Sequence, residues 1–247
     1  MTDERRSVQP PLIKVALLGD SQVGKTSLMV RYVEGGFDQT VLATQGINFM
    51  EKTVSLRGHE VTFSIWDIGG HKDYESMLPL VCNDAAAILL MFDLTRNETL
   101  DSIRDWHRKA RERNKCAMPM LVGVKFDQLC ELPAEEQRHV AFKARQFADA
   151  IDAPLIFCSP AVPIHVTDVF KVLLIQLFGL NSAVQQRHQL GEPLLEYVGR
   201  RSSADLAYTC GSGGTASNDD GRGLALADTP ATRDATFSTS TTSILGI

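Results

Sequence analysis

The sequence predicts an α/β fold, with a mainly parallel six-stranded sheet, one antiparallel edge pair and helices on both faces. Three observations carry that expectation. Short apolar runs at 12–18, 85–92, 118–124 and 155–158 have the length and composition of buried strands. Helical patterns over 97–114, 134–151 and 165–178 alternate with the later runs. The first run leads directly into a glycine-rich loop and the start of a helix, Gly19-Asp20-Ser21-Gln22-Val23-Gly24-Lys25-Thr26-Ser27. In such sheets, ligands bind at the carboxyl ends of the strands.

Each element has its own signal. Leu12-Ile13-Lys14-Val15-Ala16-Leu17-Leu18 is apolar except for one lysine. Val54 and Leu56 alternate with polar neighbours, as do Val61, Phe63 and Ile65, and Arg57-Gly58-His59 supplies a turn between the two strands. The run 85–92 is continuously apolar, the mark of a central parallel strand. In the last helix Val166, Val169, Phe170, Leu173, Leu174 and Leu177 recur at i, i+3 and i+4, giving one apolar face. Beyond residue 200 the composition shifts to Ser, Thr, Gly, Ala and Asp, which offers too little apolar surface to offset ordering entropy. The expected organisation is a flexible arm at 1–10, a domain at 11–180, an extension at 181–200 packing back through Leu194, Leu195 and Tyr197, and a disordered tail at 201–247.

With 247 residues the chain is long enough for one well-filled domain and additional segments. A net charge of −5 disfavours a large nucleic-acid surface. Five scattered cysteines form no C-x-x-C pair and fit a reducing compartment better than a disulfide framework. The first residues lead into no apolar signal region, Thr2 excludes myristoylation and the terminus Leu245-Gly246-Ile247 carries no prenylatable cysteine. These features predict a cytoplasmic or nuclear protein without a lipid anchor.

The loop at 19–26 fits G-x-x-x-x-G-K-[ST], whose backbone N–H groups and following helix end receive a polyphosphate. Asp20 through Ser27 are therefore candidate nucleotide contacts, Lys25 for the outer phosphates and the Thr26 hydroxyl for Mg²⁺. Ile65-Trp66-Asp67-Ile68-Gly69-Gly70-His71 closes another strand. There Asp67 is placed to hold Mg²⁺ through a water and Gly70 to offer an N–H to a γ-phosphate; a capped loop is the plainer alternative. Thr44 in a polar loop is a candidate second hydroxyl for Mg²⁺. Phe37 is either a contact to a base edge or a packing residue. In Lys125-Phe126-Asp127 the aspartate is placed to accept from guanine N1 and N2, a donor pair that adenine lacks.

On these motifs residues 12–180 resemble the Ras-like small GTPases, which implies their P-loop NTPase fold. Among these the chain most resembles the fungal septum-promoting, mitotic-exit GTPases. That likeness rests on Met77-Leu78-Pro79-Leu80-Val81-Cys82-Asn83-Asp84-Ala85, Met91-Phe92-Asp93-Leu94-Thr95 and Gly191-Glu192-Pro193-Leu194-Leu195-Glu196-Tyr197. The resemblance implies a monomeric GTP/GDP switch that uses Mg²⁺ and reorders loops 36–46 and 68–80, with Lys25, Gly70 and His71 in catalysis and Ser159 at the base. It further implies a protein kinase effector, a two-component GTPase-activating complex and recruitment by partners to the spindle pole body.

Three positions depart from the family pattern. His71 stands where Ras-like enzymes carry the glutamine that orients the attacking water, which implies slow intrinsic hydrolysis. Val124 replaces the Asn or Thr of [NT]-K-x-D, a side chain that ties the base loop to the phosphate loop. Pro160 occupies the position whose N–H meets guanine O6, and proline has no N–H. Three readings stand at this point: a GTP switch with slow hydrolysis and fast exchange, a nucleotide-insensitive scaffold derived from a GTPase, or a P-loop kinase or ATPase. Asp127 and the lack of an arginine-rich lid weigh against the last.

Overall fold

A computed structural model describes residues 10–37, 43–180, 184–189, 191–197 and 239–242. β1 (Leu12–Leu18) lies near the middle of the sheet and is buried on both faces. Val15 and Leu17 enter one apolar cluster while Ala16 and Leu18 enter another, as the two-residue period of a strand requires. β3 (His59–Ile68) and β4 (Ala87–Asp93) flank β1 in parallel, and β5 (Met118–Val124) and β6 (Leu155–Phe157) continue the parallel run. All five strands therefore end on one edge, and the loops bearing the candidate site residues leave from that edge.

β2 (Ile47–Leu56) runs antiparallel to β3, with Leu56 opposite His59. The expected three-residue turn narrows to Arg57 and Gly58, at φ 51° and 83°, since a two-residue hairpin with matching twist needs positive φ at both positions. His59 becomes the first strand residue.

The expected six strands with one antiparallel edge pair are present as β6-β5-β4-β1-β3-β2, and among the described residues two short strands extend the sheet to the order β7-β6-β5-β4-β1-β3-β2-β8. β7 (Leu195–Glu196) pairs antiparallel with β6, and β8 (Thr239–Thr242) pairs antiparallel with the outer edge of β2. Neither has a readable pattern: β7 is too short for a period, and β8 is a Ser/Thr stretch that joins by backbone pairing. Of the expected disordered tail at 201–247 only these four residues are described, and residues 1–9 of the expected arm lie outside the described residues.

One sheet face is covered by α1 (Lys25–Glu34) and α6 (Val166–Phe178), where the Tyr32 and Phe170 rings stack at 3.6 Å. The other is covered by α2 (Leu78–Cys82), α3 (Asn97–Arg113) and α5 (Ala134–Ile151), through Val81, Ile103, Trp106, Ala144 and Ala148. A single turn of helix, α4 (Phe126–Leu129), follows β5. Among the described residues no helix is long and apolar enough to cross a membrane. Among the described residues Cys82, Cys130 and Cys158 are free.

The stretch after α6 is built into the domain. Leu194 and Leu195 are each 1% exposed, and Phe157 N–H donates to Leu194 O at 2.8 Å. Arg145 forks onto the Glu196 carboxylate, with its shortest contact at 2.6 Å. Burial pushes the Glu196 carboxyl up, but hydrogen bonds from Arg145 and His188 outweigh it and hold the group below its ordinary value. Leu195→Ala should therefore cost about 2–4 kcal/mol of unfolding free energy, read from the midpoint of urea denaturation at unchanged slope.

Candidate functional site

The loop between β1 and α1 is shaped by steric exclusion. A Cβ on Gly19, at φ 151°, would lie 2.1 Å from the carbonyl oxygen of Met91. The chain then turns through Gln22 at φ 62° and Gly24 at φ 105°, and Gly24 caps α1. The first N–H groups of a helix have no partner within it and point out of its end. Lys25 is buried and spans the loop, its Nζ donating to the carbonyls of Gly19 and Asp20 at 2.8 Å each. Burial lowers its pKa, opposed by the negative charges of Asp67 and Asp20.

These residues open on a pocket of about 530 Å³. Its walls are Ser21, Gln22, Gly24, Lys25, Thr26 and Ser27 on one side, Phe37, Ala43, Thr44 and Gly70 on a second, and Lys125, Asp127, Gln128 and Ala161 on the third. Three loop positions do not line it. The Asp20 carboxylate accepts from Trp106 Nε1 at 2.8 Å, Val23 is buried in the core, and Ser159 sits behind Asp127. Ala43, Gln128 and Ala161 are wall residues that carry no motif.

Beside Lys25 three oxygen-bearing side chains converge. Thr26 Oγ1 and Thr44 Oγ1 are 2.6 Å apart, Thr26 donates to Asp67 Oδ2 at 2.5 Å, and Thr44 donates to the same oxygen at 3.3 Å. Asp67 is fully buried and its Oδ1 has no partner among the described residues. Burial raises the Asp67 pKa, opposed by Lys25 and by the two threonine hydroxyls. An orphaned carboxylate oxygen beside two hydroxyls suits a hard cation such as Mg²⁺, which retains waters and phosphate oxygens in its shell. The described residues hold no group of three or more His, Cys, Asp and Glu able to bind a metal alone.

Gly70 lies against the phosphate loop, where a Cβ would fall 2.2 Å from both Asp20 C and Ser21 N. Its neighbour Gly69 donates to Gly46 O at 2.9 Å. His71 is not brought into the pocket. Its exposed ring caps the 3₁₀ turn Lys72–Met77, with Nδ1 2.9 Å from Asp73 Oδ2.

At the Asp127 end Ser159 Oγ donates to Asp127 Oδ1 at 2.5 Å and accepts from Val162 N at 3.1 Å. Lys125, at φ 67°, places Nζ 2.6 Å from Asp93 Oδ2. Asp93 also accepts from Arg96 Nε at 2.9 Å and from Thr95 N and Oγ1 at 2.9 and 2.7 Å. Arg96 Nη2 in turn donates to Ser21 O at 3.1 Å. Burial pushes the Asp93 carboxyl up, but hydrogen bonds from Lys125, Thr95 and Arg96 prevail and hold it below its ordinary value. Val124 is buried in the core, with Cγ1 3.1 Å from where a Cβ on Gly24 would lie. Val124 therefore fills the space beside the phosphate loop, and the polar tie between loops runs through Asp93 and Arg96 instead. The sequence carried one signal for this: Asp93, like Asp67, is a carboxylate closing an apolar strand.

Asp93→Asn should cost about 1.5–3 kcal/mol, because it removes the charge that two partly exposed cations hydrogen-bond. The lowered folded-state pKa means that this contribution is present above the unfolded-state pKa and lost as pH falls through the folded value. In acid titrations of stability the variant should show a shallower loss below the usual carboxylate range than the parent.

Sequence comparison agrees with this geometry. The model of the Ras family matches residues 14–178. The chain is 50% identical over 188 residues to Septum-promoting GTP-binding protein 1 of Schizosaccharomyces pombe, covering 76% of this chain and 95% of that protein. It is 31% identical over 158 residues to the Ras-related protein Rab-22A of Mus musculus, covering 64% and 79%. Against the Ras-related protein SEC4 of Saccharomyces cerevisiae the identity is 29% over 203 residues, covering 82% and 87%. Ras-family GTPases bind GTP and GDP with Mg²⁺ and hydrolyse GTP. On this evidence of sequence, fold and pocket, the chain belongs to the Ras family.

Proposed function

We propose that this protein is a GTP-binding switch acting in septation and mitotic exit, with slow intrinsic hydrolysis, a weakened guanine site and dependence on a GTPase-activating partner. The observation that carries it is one pocket with two chemically distinct ends. Thr26, Thr44 and Asp67 meet beneath the phosphate loop, and Lys125 and Asp127 stand at the opposite wall. The half-identity to a protein named for septum promotion supports the biological assignment.

In this reading Thr26, Thr44 and Asp67 are the residues that would hold Mg²⁺, and Lys25 would exchange the Gly19 and Asp20 carbonyls for the outer phosphates. When bound, the cation neutralises charge on the β- and γ-phosphates. Thr44 is the member of this group contributed by the loop before β2, so it would couple that loop to the cation. Asp127, steadied by Ser159, selects guanine over adenine, since a carboxylate covered by adenine lacks its donor partners. The output is a kinase effector and the regulator a two-component GTPase-activating complex. The protein works as a cytoplasmic monomer brought to the spindle pole body by partners.

His71 motivates the slow rate. Its ring is engaged with Asp73, and imidazole carries its donor and acceptor on opposite edges, whereas a glutamine amide presents both together. His71→Gln should raise single-turnover GTP hydrolysis about tenfold, or roughly 1.4 kcal/mol of barrier. An unchanged or lower rate would mean that another group holds the water.

Titration with fluorescent GDP and GTP, with and without Mg²⁺, tests the switch itself. Lys25→Ala should weaken both nucleotides, while Thr26→Asn should penalise GTP more. If both variants bind like the parent, the phosphate assignment fails and the nucleotide-insensitive scaffold becomes the better description.

A further inference from the structure

The base loop lacks a donor at Pro160, and its remaining N–H groups are almost all committed. Ser159 N donates to Ile164 O at 3.0 Å, Ile164 N to Ser159 O at 3.1 Å, and Val162 N to Ser159 Oγ at 3.1 Å. Pro160 and Pro163 have none to give. That leaves Ala161, a pocket wall residue whose N–H has no intramolecular acceptor among the described residues.

The peptide that carries this N–H is gripped from behind by Arg31, on α1. Its Nε donates to Pro160 O at 2.6 Å and its Nη2 to Ala161 O at 2.9 Å, while Nη1 donates to Gly35 O at 2.8 Å. Pro160 O and Ala161 N–H belong to one planar unit, and in a trans peptide they point in opposite directions. A guanidinium that fixes the carbonyl therefore fixes the direction of the N–H. A cation on the carbonyl also polarises the peptide, making the N–H a stronger donor. The same guanidinium lies 5.5 Å from the centre of the Phe37 ring, so it braces a second wall of the pocket.

We infer that Ala161 supplies the backbone donor to the base carbonyl in place of Pro160, and that Arg31 is the positioning residue that aims it. The inference rests on the guanine-nucleotide reading of the pocket. It adds a specificity element that the proline position alone would argue against. Lysine cannot replace Arg31 fully, because a point ammonium lacks the fork that holds two consecutive carbonyls.

The test uses the full chain and its Arg31→Ala and Arg31→Lys variants, each titrated with GDP and with 6-thio-GDP. The thio nucleotide keeps the N1 and N2 donors but carries a poorer acceptor at position 6. The parent should prefer GDP. Arg31→Ala should release GDP about tenfold faster and lose most of that preference, with Arg31→Lys between the two. A merely structural role would weaken both nucleotides equally and leave the ratio intact. The inference is overturned if Arg31→Ala, or Arg31→Lys should the alanine variant not fold, keeps the parental release rate and preference. It is also overturned if the parent binds GDP but does not distinguish the thio form. A parent that binds neither nucleotide would instead refute the reading of the pocket.

Discussion

A single buried carboxylate, Asp93 at the end of β4, joins the two halves of the pocket. Burying a charge is costly unless it is paired and hydrogen-bonded. Here Lys125 and Arg96 reach one oxygen and Thr95 the other. Lys125 opens the base loop and Arg96 holds Ser21 O in the phosphate loop. The loops leaving β1 and β5 thus share one fixed reference. That matters in this chain because Val124 leaves no side-chain hydrogen bond at the more direct crossing.

Asp67, at the end of β3, is the complementary case. Both carboxylates close buried strands on the same sheet edge, yet their pKa values move in opposite directions, Asp93 down and Asp67 up. Cations of the protein satisfy Asp93 already. Asp67 retains an orphaned oxygen beside two hydroxyls. A pair of like groups driven apart by their surroundings separates a structural role from a ligand-facing one. The first has its oxygens occupied by the protein, and the second keeps one oxygen unpaired among the described residues.

Much of this was legible in the sequence where a pattern runs long enough. The helical pattern at 134–151 recurs as α5, and those at 97–114 and 165–178 are shorter by one residue each as α3 and α6. The phosphate motif placed most of its residues on the pocket wall. Asp20 and Val23 fall off it because the Asp20 carboxylate is turned onto Trp106 and Val23 is buried in the core. Arg96 and Arg31 could not be found this way: each acts on backbone carbonyls far along the chain, and no local spacing encodes such a partner. The edge strands β7 and β8 were missed for a related reason, since two or four residues do not establish a period. His71 carries a contact that the sequence did not announce. Motif position suggested a role with the attacking water, and the local chemistry adds a turn cap that the motif does not encode.

The most direct test of the account is equilibrium calorimetry of the purified chain with GDP, GTP, ADP and ATP in the presence of Mg²⁺. If one pocket holds phosphates at the Lys25 end and guanine at the Asp127 end, GDP and GTP should bind at one site per chain. ADP and ATP should bind at least about a hundredfold more weakly, since a site built to pair a base's donors rejects a base without them. Equal binding of adenine and guanine nucleotides, or no binding of any of the four, would contradict it.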